Sequence, residues 1–383
     1  MIRTSLRAAA TAFVLGTAAV ALSTMAMTVT AEAAIRPAVG KPLKSALSLA
    51  GSGNYKAALG QVDAAESVGG LTPEERSAIN QMRNYIAVKS GSGGAGGVGV
   101  KAKFANDYNA GRYQAVIADA EDLRKAGALD AQSMQIVAQA YYLSHNYKGC
   151  TNYLQNHFGS GASETILQLQ MRCAYESQDN ASMRGALEQL VSRTNKPEYW
   201  NQLLSAVQGT KGLSDPQTLD IYRIRLMTGT LVKPDDYQLL AQLGLQLGFA
   251  AEAQSVIQKG IDAKVLTGDR VNRLMKLAQT QAAASAANYA KALAAANGAK
   301  NGDALVKLGE DNWGQGKFPD ALSLIQAGIA KGVTDSSNAQ VRLGMAYLGL
   351  KQKDQAIRAF MKADGSDAAK VVAHIWEIYA RTH

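Results

Sequence analysis

Eight positions recur along this chain at almost constant intervals. Phe104, Ala138, Met171, Leu204, Ala241, Met275, Gly309 and Gly344 follow one another at steps of 34, 33, 33, 37, 34, 34 and 35 residues. A step of that size accommodates two short helices and their turns. One such unit cannot bury its own apolar face, so it must stack against neighbours, and the fold becomes an array of units. The composition suits this: of 383 residues, 47% are hydrophobic and 19% charged, a globular balance. Four histidines and two cysteines exclude a Cys/His-rich zinc scaffold and a disulfide-dense mini-domain.

The fullest copies of the unit lie near the end. Gln340-x2-Leu343-Gly344-x2-Tyr347 leads to Ala356-x3-Phe360, and Leu305-x2-Leu308-Gly309-x2-Asn312 leads to Ala321-x3-Ile325. Weaker copies begin at Met134, Leu167, Tyr237 and Val271, and Trp200-x2-Leu203-Leu204 carries a tryptophan at its head. The pattern resembles the tetratricopeptide repeat (TPR), in which a small residue on the first helix and an alanine on the second let the pair approach closely. The resemblance covers residues 101–383 in degenerate form: Met171 and Leu204 are bulky, and the closing proline of the family is largely absent. It implies an all-α fold, a right-handed superhelical TPR-like α-solenoid of helix-turn-helix repeats. The step of 37 predicts an extra loop at Gly209-Thr210-Lys211-Gly212. The second helix of the Met275 unit, about Ala286 to Ala296, has a poor register.

Punctuation agrees with helices throughout. Pro73, Pro197, Pro216, Pro234 and Pro319 sit where a helix would open, the place where a missing N–H is harmless. Thr72-Pro73-Glu74-Glu75 reads as a capping box. The phrases Gly53-Asn54-Tyr55, Gly111-Arg112-Tyr113, His145-Asn146-Tyr147 and Gly316-Lys317-Phe318 read as turns that start a second helix with an aromatic. Residues 34–89 form an N-terminal module of three helices, near 42–51, 54–68 and 72–89. Residues 90–100 are glycine-rich and read as a flexible linker. Gly91-x-Gly93-x-x-Gly96 matches a dinucleotide fingerprint literally, but the strand that must precede such a loop is missing. Val372-x2-Ile375-Trp376-x2-Tyr379 predicts an atypical last helix that caps the array.

Residues 1–33 carry the marks of a cleavable signal peptide: Arg3 and Arg7, an apolar Ala-rich run, then Ala31-Glu32-Ala33. The expected location is periplasmic or secreted. The formal net charge of +9 is spread along the chain, so nucleic acid is not an expected partner, and no later stretch is apolar enough for a membrane span. Cys150 and Cys173 would lie on adjacent helices, as a disulfide between two units or as two small core residues. None of His145, His157, His374 and His383 has a partner at metal spacing. No nucleophile elbow, phosphate loop or phased carboxylate pair is present, and Asp119, Glu121 and Asp122 read as a solvated helix face. A cofactor-free, non-catalytic protein is therefore expected.

The TPR resemblance implies that the first helix of each unit lines a concave face. The positions three before, one after and four after the close-approach residue would then be exposed there. They give Gln135, Gln139 and Tyr142; Gln168, Arg172 and Tyr175; Asn201, Ser205 and Gln208; Gln238, Gln242 and Leu245; Asn272, Lys276 and Gln279. An amide ladder with tyrosines and no acids offers donors and acceptors together, as an extended peptide requires. An envelope glycan, or the platform of a glycan-processing or export machine, is the second partner class such a ribbon suits. In the last two units the ribbon changes to Val306, Glu310 and Trp313, then Val341, Met345 and Leu348. That patch is either covered by the terminal segment or a second docking surface.

Overall fold

The structure, a computed structural model, describes residues 35–90 and 97–383. Residues 1–34, with the expected signal peptide, and the Gly91-to-Gly96 stretch lie outside the described residues. Among those described, the secondary structure is helical, with nineteen α-helices and no strand. Two compact units result, one up to Ala140 and one over Tyr141–His383. The division does not fall at the glycine run. The helices on either side of that run, α3 (Pro73–Ser90) and α4 (Gly97–Asn109), pack on one another, and Gly97 to Val100 are already helical.

In the first unit, α1 (Pro37–Gly51), α2 (Tyr55–Glu66) and α3 bury Val39, Leu43, Val62, Ile79 and Ile86 between them. The capping box forms in both directions: Thr72 N–H donates to Glu75 Oε2 at 2.9 Å, and Glu75 N–H donates to Thr72 Oγ1 at 3.2 Å. Arg36 adds two side-chain bonds to the same carboxylate at 2.8 Å. That hydrogen bonding holds the Glu75 carboxyl down at about 2. Next, α4 packs on α5 (Tyr113–Lys125). The expectation that Asp119 is solvated is corrected here. It is 3% exposed and pairs with Lys103, which also reaches Asp107 at 3.1 Å. The helix α6 (Ala131–Leu143) carries the division between the units.

The second unit runs through α7 (Tyr147–Phe158), α8 (Glu164–Glu176), α9 (Asn180–Thr194), α10 (Pro197–Gln208), α11 (Asp215–Met227), α12 (Pro234–Gln246) and α13 (Ala250–Asp262). It continues through α14 (Asp269–Gly298), α15 (Asp303–Gly314), α16 (Phe318–Lys331), α17 (Ser336–Gly349), α18 (Lys353–Met361) and α19 (Asp367–Thr382). Successive helices pack as hairpins, α8 on α9, α12 on α13, α15 on α16 and α17 on α18. The TPR-like close approach is explicit at two positions. A Cβ on Gly309 would lie 2.6 Å from Ile325 Cγ1 and 2.9 Å from the Ala321 carbonyl oxygen, and one on Gly344 would enter the Phe360 ring. No side chain larger than hydrogen fits either place. The inter-helix phrases read from the sequence become left-handed turns, with φ of 59° at His145 and 77° at Gly316.

Two elements depart from the repeat. Where a helix pair was expected after Met275, α14 runs on as one 30-residue helix. Between Lys276 and Asn297 the chain has neither glycine nor proline, and alanine, the best helix former, fills most positions. Nothing there breaks the helix. The second departure is α19. It caps α17 and α18, as the sequence predicts, and it also returns to pack on α9 and α11.

Candidate binding surfaces

On α8, Gln168, Arg172 and Tyr175 stand on one edge at i, i+4 and i+7. Gln168 and Arg172 are half-buried and Tyr175 is 36% exposed. Gln168 Nε2 donates to the Tyr199 hydroxyl, which in turn donates to Glu164 Oε1. On α6, Gln135 and Gln139 are half-buried, and Gln139 Oε1 accepts from the Tyr108 hydroxyl at 2.9 Å. Tyr142 packs against Tyr147 with ring centroids 5.5 Å apart. Further along, Gln238 is half-buried, while Gln242 and Gln279 are exposed.

The α10 edge is different. Arg225, on α11, is 5% exposed and donates to Asn201 Oδ1 at 2.8 Å, Ser205 Oγ at 2.8 Å and Gln208 Oε1 at 3.0 Å. The carbonyl oxygens of Asn201 and Gln208 are thus taken by the protein's own guanidinium, while Asn201 itself stays exposed and Gln208 half-buried. Burial pushes that guanidinium below its ordinary value. Neutral oxygens take three of its bonds, and its Nε is left without a partner.

Deeper in the unit lies a network that the sequence reading missed. Arg223 on α11 is 2% exposed. It donates to both oxygens of Glu252 on α13, at 2.8 and 2.6 Å, to Asp220 at 3.0 Å and to Glu310 on α15 at 2.6 Å. Its Cζ lies over the Phe249 ring at 5.3 Å and over the Trp313 ring at 5.2 Å. Arg342 on α17, 1% exposed, reaches Asp220 at 2.5 Å and Glu310 at 2.9 Å. Four helices are thus tied through five buried charges. The available signal was the run Leu219–Arg225, in which charged and apolar residues alternate with no helical stripe. Every residue of that run is buried, as expected of a helix surrounded on all sides.

The apolar patch of the last two units is covered by α19. Trp376, 0% exposed, meets Trp313 edge-on at 6.3 Å and stacks on Phe360 at 5.9 Å. Tyr379 packs on Trp200 at 6.2 Å. All three tryptophans of the chain therefore gather around the closing helix. Its end is fastened by polar contacts. Asn195 Nδ2 lies 3.2 Å from His383 Nε2, and His374 Nε2 lies 3.4 Å from a Glu188 carboxylate oxygen.

Cys150 on α7 and Cys173 on α8 are disulfide-bonded, with Cα atoms 6.0 Å apart. No cluster of three or more metal-ligating side chains occurs among the described residues, and no described helix is long and apolar enough to cross a membrane. Two open concavities lie beside α14. A cleft of about 440 Å³ is lined by Phe249, Ser285, Asn288, Tyr289, Lys307 and Leu308 among others. A second, of about 600 Å³, is lined by Gln254, Gln279, Ala283, Tyr289, Gln315 and Lys317 among others. Gln279 is the one predicted partner-binding residue that lines either cleft.

No protein-family profile and no curated protein sequence matches this chain. Solved structures that it resembles include Naa15/Naa10 bound to HypK-THB, at 12% identity and TM-score 0.31 over 85% of this chain and 63% of that one. Others are the Cut9–Hcn1 hetero-tetramer of the APC/C (12%, TM-score 0.23, 89% of this chain and 76% of that one) and the TPR domain of P58(IPK) (12%, TM-score 0.20, 88% and 97%). This chain spans less than two thirds of the first. The class is defined by the protein's own geometry: an all-α, TPR-like helical-repeat protein.

Proposed function

We propose that this protein is a non-catalytic binding protein of the bacterial cell envelope that takes a polypeptide partner along the leading helices of its repeats. The observation that carries the reading is the α8 edge, where Gln168, Arg172 and the exposed ring of Tyr175 share one side. Gln242 and Gln279 add exposed amides. Amides match the alternating donors and acceptors of an extended backbone, and a rigid tyrosine adds contact area at low entropic cost. Export is supported by the signal-like sequence of residues 1–33 and by a disulfide between the only two cysteines, which persists in oxidising compartments.

The experiment is affinity capture from envelope extract with wild type and with a Gln168→Ala/Arg172→Ala/Tyr175→Ala variant, alongside sedimentation with purified peptidoglycan. A protein recovered by wild type and lost with the variant is the expected result. Identical recovery by both, or co-sedimentation with the glycan that the variant abolishes, contradicts the reading. Mass determination of the exported chain tests the location: the mature N-terminus is expected at Ala34 or Ile35.

A further inference from the structure

The repeat that begins at Val271 is incomplete. Its step, from Met275 to Gly309, is a full 34 residues, enough for two helices. Only α14 is made from them, and it runs straight past the point where its partner should turn back. The flanking repeats each have a second helix, α13 before and α16 after. Between α13, α14 and α15 the place of the missing helix is left as the two clefts beside Tyr289. Stacked repeats are stable because each helix pair covers its neighbour. Here one cover is absent.

The walls of this slot suit a helix. From Ala282 to Ala287 the α14 side chains are alanines and one serine, so a second helix could approach closely. Phe249 and Leu308 supply apolar floor. From Leu277 to Gly298 the only charge is Lys291, and most of these side chains are exposed, unusual for so weakly polar a surface. The second half of α14 is held by few ties: Asn312 Nδ2 donates to the Tyr289 hydroxyl at 2.9 Å, and Lys331 Nζ donates to the Asn297 carbonyl at 2.5 Å. Asn312 is 1% exposed, and its Oδ1 has no hydrogen-bond partner.

Basic side chains outnumber acids here. Lys307 and Lys317 are exposed, one at each cleft, and the half-buried Asp311 lines both. Arg270, Arg273, Lys276 and Lys291 are exposed elsewhere along α14, whose one acid is Asp269. Opposite charge on the occupant would be favoured and like charge repelled. We infer that this slot receives an amphipathic helix from a partner protein, with small or aliphatic residues on the buried face and acidic residues on its flanks, which completes the interrupted repeat. Helix-in-groove recognition of this kind reads anchors at i, i+3, i+4 and i+7. The site is separate from the α8 edge.

The test uses a fluorescent 20-residue probe with an Ala/Leu face and glutamate flanks, and its twin with lysine in place of every glutamate. Binding is followed by anisotropy and by an environment-sensitive dye on Ser285→Cys. The acidic probe is expected to bind saturably and shift the dye. Ala283→Trp, which fills the slot at an exposed position, and Lys307→Glu/Lys317→Glu should each weaken it at least tenfold without altering the helical circular dichroism. The α8 triple variant should bind the probe as wild type does, so failure here and failure of the proposed function are read separately. Absence of binding, equal binding of the lysine twin, or indifference to Ala283→Trp overturns the inference. So does a concentration-dependent dimer that Ala283→Trp abolishes, since the occupant would then be a second copy.

Discussion

The helices α11 and α14 break the amphipathic rule in opposite directions. Every residue of α11 from Leu219 to Arg225 is buried, including three charges, whereas α14 buries only Val271, Ala278 and Ala296 along thirty residues. Removing charges from water is expensive unless each finds a partner. In α11 they do: Arg223 and Asp220 join Glu252, Glu310 and Arg342, and Arg225 takes three neutral oxygens. Tertiary contact thus holds α11 in place, and a change to any partner is felt in four helices. The exposed half of α14 has little tertiary contact to rely on. Alanine propensity and the absence of breakers keep it helical.

The largest expected effect comes from breaking the network. Arg223→Met takes the guanidinium from Glu252 and leaves Asp220 and Glu310 with Arg342 alone, and loss of about 3–5 kcal/mol in urea denaturation is expected. A loss under 1 kcal/mol would mean that α11 is held by packing alone. Replacing both cysteines by serine should remove about 3 kcal/mol, given the 23-residue separation they close. It should leave the slot beside α14 unaffected, as judged by probe binding.

Sharpening the other side requires α14. Ala287→Gly, at an exposed position, should lower stability by about 1 kcal/mol through backbone entropy alone. An effect as large as that of Arg223→Met would show that this half of the helix is packed after all. The smallest effect concerns pH. Hydrogen bonding to Glu188 on α9, helped by Glu377, raises the His374 pKa above its ordinary 6.5. Glu188 is also paired with Arg184 at 3.6 Å, and Glu377 with Arg381. Because the folded pKa is the higher one, the contribution is fully present below 6.5 and is lost as pH rises past the folded value. With His374 half exposed, the change is small. His374→Gln should flatten stability over that window, with denaturation midpoints at pH 6 and 8.5 as the check.

Much of this fold is legible in the sequence because it is local. Glycine at Gly309 and Gly344, proline at the openings of helices and the Thr72–Glu75 box each act within a few residues, and each does in the structure what its chemistry implies. Long-range closure is not legible in that way. Val372, Ile375, Trp376 and Tyr379 announce an apolar face on α19, but nothing near them says that α9 and α11 will receive it. The candidate site suffers the same limit. Asn201 and Gln208 share the seven-residue spacing of Gln168 and Tyr175, and only the position of Arg225 on the following helix engages their carbonyl oxygens. The unbroken course of α14 was readable from composition, but a repeat pattern of near-constant step implied a turn that the alanines do not make.

The account stands on α19 closing the second unit over α11. Amide hydrogen exchange of the full chain, compared with a chain ending at Gly365, tests this most directly. In the full chain the α11 amides from Leu219 to Arg225 should be among the slowest to exchange, and truncation should accelerate them at least a hundredfold while α7 and α8 keep their rates. Equal exchange of α11 in both chains would show that the last helix covers nothing there, and the closed arrangement would be wrong.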